Sequence, residues 1–274
     1  LRLPSSVQRI EFRDFDFPAI SETFARFGAP LDDLAAVAVA VFDHGAAPAD
    51  VSDRQFRFDY LDERIRARNA LSSLAFLSNE IPPIMTRLQA VADSAQDVDA
   101  PLIVMDTAPA AVLGATFDPV VARRKQKIIA NIGNFHTLAF RLGETGIEGV
   151  FEHHTGEIDL PKLESYLRAL ADGTLQHETI FNDKGHGALV YDKTRMLLNG
   201  EDFDVVVTGP RRSLFSNGAS TLRPYFSVPF GDMMIAGCFG MLSATSDLLP
   251  DLAKDVRESL RGAGGAGTPP WEIT

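Results

Sequence analysis

The stretch KIIANIGNFHTLAF (residues 127–140) contains two apolar runs that predict strands, and the polar segment NIGNFHT separates them. An Asn-Gly or Gly-Asn turn closes an ordinary β-hairpin, which is the simplest interpretation. A loop that carries Asn, Gly, His and Thr between two strands is also typical of a hairpin that binds phosphate through its backbone amides. Residues 127–140 therefore predict a hairpin and leave the purpose of its turn open.

The predicted hairpin belongs to a larger predicted sheet. The segment IEGVFEHH (147–154) predicts a third strand, so the chain forms an antiparallel meander from about residue 126. The apolar run FDVVVTG (203–209) ends in glycine and predicts another buried strand. The second half of the chain therefore predicts a sheet that contains antiparallel pairs.

Strands and helices alternate along the rest of the chain. The short apolar runs LAAVAVAVF (34–42) and PLIVMD (101–106) are typical of strands buried on both faces, and VQRIEF (7–12) predicts a further strand. Apolar spacing and cap signals predict helices at residues 18–28, 52–68, about 82–95, 107–115, 160–173, about 231–244 and about 249–261. Such alternation is typical of an α/β fold with mostly parallel sheets.

The position of the meander predicts two domains. It begins after a complete α/β unit, so we place the first domain at residues 1–120 and the second at residues 121–274. The helix TAPAAVLGA (107–115) precedes this boundary. Its small side chains allow another element to pack very closely against it.

Charge and hydropathy exclude two classes of partner. The chain has 26 basic and 37 acidic residues and a formal net charge of -11, so it offers nucleic acid no broad positive field. Its longest apolar stretches fall well short of the roughly 20 residues that span a bilayer. We therefore expect a globular protein with neither a nucleic-acid nor a membrane partner.

The sequence contains one cysteine, Cys238. One thiol forms no intrachain disulfide and cannot hold an iron–sulfur cluster or a cysteine-based zinc site with this chain alone. This usage favours a reducing, cytoplasmic setting. Cys238 follows Met233 and Met234 in an apolar helix, and we expect all three side chains to be buried.

Polar residues gather where the predicted strands end. They are Asp43 and His44 after the first buried strand, Asp106 and Thr107 after the second, the NIGNFHT loop, and Thr208 and Gly209 after the last. The carboxyl ends of strands in an open α/β sheet face the ligand crevice, so these groups are expected to converge on one cleft. The alternative is that they only form the turns that any such sheet needs.

The order of four segments resembles a known superfamily. MDTAPAAVLGA, IIANIGNFHTLAF, DVVVTGP and GDMMIAGCFGMLSA are similar, in sequence and spacing, to the second half of the ATPases that include actin, sugar kinases and heat-shock chaperones. The resemblance implies two ribonuclease H-like domains that face each other across a nucleotide cleft. It also implies ATP and Mg²⁺ as ligands, hydrolysis or phosphoryl transfer as the reaction, and domain closure as the mechanical output.

The resemblance also implies roles for individual residues. Asp106 would orient water or Mg²⁺ at the start of a connecting helix, while Asp43 and His44 would lie on the substrate side of the cleft. These are the predicted catalytic residues. Backbone amides near Gly133 and Asn134 would approach a β- or γ-phosphate. The cofactor-binding residues implied in this way are Asn131, Gly133, Asn134, His136, Thr137 and Gly209.

Three features depart from the superfamily pattern, and two of them suit an alternative, a scaffold that kept the fold and lost nucleotide chemistry. Asn131 stands where an aspartate is usual, and Pro210 follows Gly209 where a second glycine is usual. The first phosphate hairpin, Asp-x-Gly-x-x-Thr, is missing from the start of the sequence. Because the sequence begins at Leu1 and not at Met, we expect this hairpin to lie upstream and the first domain to be incomplete here.

A narrower resemblance concerns the segments GNFHTLAF, GVFEHHTG and NDKGHGALV. They look like an uncharacterised prokaryotic family labelled "putative pyruvate formate-lyase activating protein", over most of the chain. Radical activation of that kind needs three cysteines on an iron–sulfur cluster, and this sequence contains one. We therefore expect the protein not to be a radical iron–sulfur enzyme.

The histidines support a competing hypothesis, a metal-dependent hydrolase. Glu152 and His154 point to one face of their strand and His153 to the other, so at most two of the three address one site. The predicted metal ligands are Glu152, His154 and His186, with His136 as a further candidate, and these types suit zinc, manganese or iron. Their spacing matches no established motif, and the alternative is that they make hydrogen bonds in turns.

Overall fold

The computed structural model describes residue 7 and residues 12–198, 202–216 and 219–261. The strand predicted over residues 7–12 therefore lies, apart from its two ends, outside the described part. Within that part, the strands form one sheet of three strands and one of six. None of the described helices combines the length and the apolar character that crossing a bilayer requires. The chain is a mixed α/β protein, as the alternation of elements predicts.

The first sheet has the strand order β1-β3-β2. Its members are β1 (Val37–Ala40), β2 (Ala75–Leu77) and β3 (Leu102–Met105), with β1 parallel and β2 antiparallel to β3. β3 is buried throughout, as predicted. The prediction of a doubly buried strand over residues 34–42 is wrong. β1 pairs with β3 alone among the described strands and leaves Ala38 exposed, because it forms an edge of the sheet.

Helices surround the first sheet and lead out of it. In chain order they are α1 (Phe17–Arg26), α2 (Asp53–Ala67), α3 (Thr86–Ser94), α4 (Thr107–Ala115) and α5 (Pro119–Ala122). The helix predicted to begin near residue 82 begins at Thr86 instead. Its start is fixed from another element, since the carboxylate of Asp43 accepts hydrogen bonds from the N–H groups of Arg87 and Leu88, at 2.9 Å each.

The second sheet is built on the predicted meander. Its strands are β4 (Lys127–Ile132), β5 (His136–Gly143), β6 (Gly146–His154), β7 (Gly187–Val190), β8 (Val205–Thr208) and β9 (Pro224–Phe226). From β4 to β7, each strand pairs antiparallel with the next one along the chain, so the predicted hairpin and third strand are confirmed. β8 and β9 extend the sheet in parallel on the other side of β4, in the order β7-β6-β5-β4-β8-β9. β4 therefore lies inside the sheet, and both loops that follow β4 and β8 leave at the same edge.

Of the four described α-helices in the second half of the chain, three were predicted and one was not, and the helix predicted at about 231–244 spans Ala236–Leu248 instead. They are α6 (Leu160–Ala171), α7 (His177–Asn182), α8 (Ala236–Leu248) and α9 (Pro250–Arg261), of which α7 is the addition. The prediction that Met234 and Cys238 are buried is wrong. Met234, which precedes α8, is 79% exposed, and Cys238 is exposed because it lies on the face of α8 opposite to Ala236 and Gly240.

The small residues of α4 and α8 allow these helices to cross in backbone contact. A Cβ at Gly114 would lie 1.7 Å from the carbonyl oxygen of Ala236, and a Cβ at Gly240 would lie 1.9 Å from that of Ala110. Only glycine fits at these two positions. α4 also contacts β4 of the second sheet, while α8 contacts β1 of the first. The close packing predicted for residues 107–115 is confirmed, and the helix pair joins the two sheets.

One hydrophobic core is shared by both sheets. It combines Ile103 and Met105 of the first sheet with Ile129 and Phe140 of the second, and Val112 of α4 lies among them. Each of these side chains is fully buried. Burial on this scale contributes about 1.5–3 kcal/mol for each large apolar side chain. The shared core therefore holds the carboxyl ends of β1, β3, β4 and β8 in fixed positions relative to one another.

Candidate functional site

A cavity of about 450 Å³ opens at the carboxyl ends of β3, β4 and β8. Its polar and small lining residues are Thr107 and Ala108 of α4, Asn131, Gly133 and Asn134 after or at the end of β4, Thr208 and Gly209 after β8, and Gly237 of α8. The ends of these three strands therefore converge, as predicted, but the predicted catalytic residue Asp106 does not itself line the cavity. Asp43 and His44, which follow β1, do not line the cavity.

The turn between β4 and β5 forms one wall of the cavity. The N–H of Gly133 donates a hydrogen bond to the carbonyl of His136 at 2.9 Å, as in an ordinary hairpin. A Cβ at residue 133 would lie 2.5 Å from that oxygen, so a larger residue would break the turn. Asn134 borders the cavity, and Phe135 is 79% exposed. The segment is thus a hairpin turn by its hydrogen bonding and a cavity wall by its position.

The turn after β8 packs against the end of β4. Gly209 has a φ of 97°, and a Cβ there would lie 2.6 Å from the carbonyl oxygen of Ile132. Of the six residues predicted to bind a cofactor, five line the cavity: Asn131, Gly133, Asn134, His136 and Gly209. Thr137 does not. Its side chain is fully buried, and its hydroxyl pairs with that of Thr155 at 3.0 Å.

The two predicted catalytic aspartates have different surroundings. Asp43 is buried, and its carboxylate accepts three backbone N–H groups, from Gly45 at 2.8 Å and from Arg87 and Leu88 at 2.9 Å each. Both of its oxygens are thus occupied, Oδ2 by the start of α3 and Oδ1 by Gly45 in the loop after β1. Asp106 precedes α4 without capping it, and its Oδ1 is buried with no hydrogen-bond partner among the described residues.

A cluster of titratable side chains lies beside the cavity. One ligand atom from each of His44, His136, Glu152 and His186 lies within 4.8 Å of the others. The register of β5 and β6 places His136 opposite His154 and Leu138 opposite Glu152, so His136 and Glu152 share one face. His186 immediately precedes β7, and its N–H donates to the carbonyl of Glu152 at 2.9 Å. We call these four residues the histidine cluster.

Several ring nitrogens of the histidine cluster are buried without a partner. Among the described residues, both nitrogens of His136 and Nδ1 of His186 make no hydrogen bond. Nε2 of His44 lies 3.0 Å from Oε1 of Glu152. Burial is the main cause that lowers the pKa of His136 to about 4 and that of His186 to about 3. Both rings are therefore neutral near pH 7, with lone pairs free to bind a cation.

A buried arginine connects the histidine cluster with Asp106. Arg57 of α2 donates from Nε to Oε2 of Glu152 at 3.1 Å, from Nη2 to Oδ2 of Asp106 at 2.5 Å, and from Nη1 to the carbonyl of Asp43 at 3.3 Å. Burial raises the pKa of Asp106 against the effect of Arg57. For Glu152, burial is outweighed by Arg57 and His44, so its pKa is well below the usual value. Glu152 is therefore ionised at neutral pH.

Comparison with known proteins identifies a family. Residues 2–214 match the family model described as "Putative pyruvate format-lyase activating enzyme (DUF1786)". The chain belongs to this family. The matched residues include the turn after β4 and all members of the histidine cluster, whereas α8 lies beyond them. No curated protein and no solved structure matches the chain.

The predicted metal ligands of this family member are partly brought together. Glu152 and His186 belong to the histidine cluster, while the ring of His154 lies beside it, with its centroid 4.8 Å from that of His136 and 4.7 Å from that of His186. His153 points to the other face of β6 and contacts Asp183 at 3.0 Å, as strand alternation predicts. His136, a further candidate in the sequence, lies at the centre of the arrangement.

Sequence reasoning missed Arg57 and the place of His44. His44 was predicted to be catalytic, and no pattern linked it to Glu152, which is 108 residues away. Arg57 did leave a signal. It recurs with Leu61 and Ile65 at the spacing of one helix face, and all three are buried in α2. An arginine on the apolar face of a helix indicates a buried ion pair.

Proposed function

We propose that this protein binds a nucleotide in the cavity and hydrolyses it or transfers its phosphoryl group. The observation that carries the proposal is that the start of α4, the Gly133 turn and the Gly209 turn border one cavity of about 450 Å³. Thr107 and Ala108 of α4 and the two glycines are small residues, so they bring the backbone close to the cavity. Such backbone suits a phosphate group, which N–H donors bind at close range.

The start of α4 supports an anionic ligand. Thr107 and Ala108 line the cavity, and Asp106 makes no side-chain hydrogen bond to the first turn. The first N–H groups of a helix have no partner within the helix, and they carry the positive end of its dipole. A phosphate at this position would accept hydrogen bonds from the N–H groups of Thr107 and Ala108, since Pro109 has none. The interaction is worth about 0.3–1 kcal/mol from the dipole alone at an exposed site.

The remaining wall of the cavity supports an apolar, ring-shaped portion of the ligand. It is formed by Phe42, Phe135, Pro210, Met233 and Met234. Methionine and aromatic side chains adapt well to the faces of flat rings. The cavity volume also lies within the range of about 300–1,000 Å³ that is usual for small-molecule sites. A ligand that joins phosphate to a flat base is a nucleotide, and ATP is the one we propose.

The arrangement of the second sheet supports the finer fold proposal. The meander β4–β6, followed by strands that run parallel to β4, is what we expect of a ribonuclease H-like domain in the actin-like superfamily. We propose such a domain for residues 121–274 and a second one for residues 1–120. The helix pair α4 and α8, which cross at Gly114 and Gly240, would then connect the domains near the nucleotide.

Asp106 is the residue that fits a catalytic role in this proposal. Its Oδ2 is held by Arg57, which leaves Oδ1 unpaired and buried next to the start of α4. This oxygen would hold a water molecule, or a water bound to Mg²⁺, beside the phosphates. Asp43 fits such a role less well because three N–H groups already occupy its carboxylate. Asn131 adds an amide and no charge at the cavity.

The family label suggests a different activity, radical activation of an enzyme. The cluster chemistry of such enzymes depends on cysteine thiolates, and this sequence contains one cysteine. That cysteine, Cys238, is in α8 and outside the residues that match the family. We therefore base the proposal on the cavity and not on the label.

The proposal is tested with a variant that fills the cavity without disturbing the backbone. Gly237 lines the cavity, and a Cβ there would have only the N–H nitrogen of Ala111 within contact range, at 4.0 Å. We expect ATP with Mg²⁺ to raise the melting temperature of the wild-type protein, as a ligand of the folded state does. Gly237→Leu should abolish the shift, and Gly237→Ala should retain it.

The outcomes separate three possibilities. Wild-type protein with no thermal shift in excess ATP and Mg²⁺ would contradict nucleotide binding. A shift that survives in Gly237→Leu would place the ligand outside the cavity. Binding without release of phosphate, in an assay of purified protein, would favour the scaffold that retains the ligand and has lost the chemistry.

A further inference from the structure

We propose that His44, His136, Glu152 and His186 bind one divalent transition-metal ion. The site is distinct from the nucleotide proposal and does not depend on it. Its four ligand atoms come from the loop after β1, the start of β5, the C-terminal part of β6 and the residue before β7, and they lie within 4.8 Å of one another. Four separate segments of the chain therefore present metal-binding atoms to one point.

The donor set indicates the class of ion. Three imidazoles and one carboxylate suit zinc, iron, manganese or a similar transition metal, while Mg²⁺ and Ca²⁺ prefer oxygen ligands. Bonds of about 2.0–2.2 Å to a tetrahedral ion place its ligands about 3.3–3.6 Å apart. The four atoms are thus slightly more open than in a loaded site, and small side-chain rotations would close them. Zinc is the ion we expect, because four nitrogen and oxygen ligands are its usual set.

Unpaired buried atoms give the proposal its second observation. His186 is 2% exposed, and its Nδ1 has no hydrogen-bond partner among the described residues. Both ring nitrogens of His136 are also buried and make no hydrogen bond to a described residue. Buried polar atoms almost always have a partner, and each exception costs about 1–3 kcal/mol. A metal ion bonded to one nitrogen of each ring would remove part of this cost.

Charge around the cluster also suits a cation. Glu152 and Asp106 are buried acids, and Arg57 is the buried base between them. With both acids ionised, the three groups sum to a single negative charge, and the histidines add none while neutral. Arg57 binds Oε2 of Glu152, which leaves Oε1 directed at His44. Such outer partners orient a carboxylate ligand and are usual around metal sites.

The position of His136 sets where the ion would lie. This residue lines the cavity and also borders a neighbouring, more open pocket with Arg54, His154 and Lys184. An ion bound to His136 would therefore stand next to both spaces. This is the placement that the metal-dependent hydrolase hypothesis requires. Packing of rings alone is the competing explanation, since Phe42 stacks on His136 with the centroids 4.9 Å apart.

The test begins with the purified, full-length chain stripped by a chelator and dialysed against Zn²⁺ or Co²⁺. We expect one ion per chain by elemental analysis, and a Co²⁺ absorption spectrum typical of nitrogen and oxygen ligands. His44→Ala and His136→Ala should each weaken Zn²⁺ binding by more than about 100-fold, because outer partners alone cost about 10–100-fold. His177→Ala is the matched control, since His177 lies in α7 and outside the cluster, and it should bind normally.

Either of two binding results would overturn the proposal. One is a wild-type protein that takes up no stoichiometric transition metal, and the other is normal binding by folded His44→Ala and His136→Ala. X-ray absorption of the zinc-loaded wild type provides a test that needs no variant, and absence of imidazole scattering would also overturn it. Gly237→Leu should bind zinc normally. Wild-type protein that binds no zinc but whose melting temperature rises with ATP would reject this metal site alone. Wild-type protein that binds zinc but shows no such rise with ATP would reject the nucleotide proposal alone.

Discussion

The cavity and the histidine cluster share His136 but are built from different parts of the polypeptide. The cavity combines an apolar wall with turns at which Gly133 and Gly209 allow close approach of the backbone. The cluster is made of side chains that reach one point from distant segments. The cavity therefore depends on the path of the chain, whereas the cluster depends on the charges and protons of a few groups.

This difference shows that one edge of a fold can offer groups suited to two kinds of ligand, anions and cations. Backbone N–H groups suit anions and do not titrate, so the cavity is expected to behave alike over a wide pH range. Imidazoles and a carboxylate suit cations and do titrate. Substitutions that separate these two behaviours test whether the comparison is correct.

The largest effect on stability is expected when the buried charges beside the histidine cluster are disturbed. Arg57→Met would leave Glu152 and Asp106 buried without their shared partner. Removing one partner of a buried ion pair costs about 3–5 kcal/mol. A loss of this size lowers the melting temperature by on the order of 10 °C in a chain of this length. Differential scanning calorimetry would measure it.

The control for this substitution is an arginine in the same helix. Arg66→Met removes an exposed ion pair with Asp62, whose Oδ2 lies 2.8 Å from Nε of Arg66. Solvent screens such a pair, so stability should change little. Equal melting temperatures for the two variants would show that the buried triad contributes nothing beyond an ordinary surface pair.

A smaller effect on stability is expected when the close backbone packing beside the cavity is disturbed. In Gly240→Ala, the new Cβ would lie 1.9 Å from the carbonyl oxygen of Ala110 unless α4 and α8 move apart. Such overpacking costs about 1–3 kcal/mol. Because α4 lines the cavity, ATP binding should weaken as well, while zinc binding should persist. Urea unfolding and titration calorimetry would measure the two effects.

Gly237→Ala is the matched control, one turn earlier in α8. Its Cβ meets only the N–H nitrogen of Ala111, at 4.0 Å. Alanine favours a helix more than glycine does, so stability should be unchanged or slightly higher. If Gly240→Ala is as stable as Gly237→Ala, the helices do not cross as closely as described.

The smallest effect is the response of stability to pH, which separates the two regions without a change in packing. Burial lowers the pKa of His136 to about 4 and of His186 to about 3, from an ordinary value of 6.5. Below about pH 6.5 the unfolded chain therefore binds more protons than the folded one. The free energy of unfolding of the metal-free protein should fall as the pH decreases from 7.5 to 5.

Two variants sharpen this measurement. His136→Gln removes one of the titrating groups and should flatten the decline, as seen in urea midpoints across the pH range. Gly240→Ala changes no titrating group, so it should lower stability by a similar amount at each pH. A decline equally steep in His136→Gln and in the wild type would assign the acid sensitivity to groups other than the cluster.

Much of the fold could be predicted because its signals are local. Alternating and continuous apolar runs marked β4, β5, β6, β3 and β8, and cap signals marked most helices. Errors arose where an apolar run is exposed by its tertiary position. The edge strand β1 and the exposed Met234 have the same apolar character as buried segments, and only the absence of a neighbouring element distinguishes them.

The candidate site was predicted in part for the same reason. Glycines after strands predicted the cavity wall, because Gly133 and Gly209 are required by the turns themselves. Thr137 was included as the next polar residue, yet strand alternation turns it away from its neighbour His136. The predicted metal set contained Glu152 and His186. It contained His154 in place of His44, which no local spacing could connect with β6.

The sequence by itself determined the α/β alternation, the meander, the glycine turns and the residue types available for chemistry, because each depends on neighbours within a few positions. Tertiary structure alone decided that Arg57 joins Asp106 to Glu152 and that four ligand atoms meet within 4.8 Å. Those contacts join segments up to 142 residues apart, from His44 to His186. Their formation depends on how the two sheets pack over one core, which no local pattern encodes.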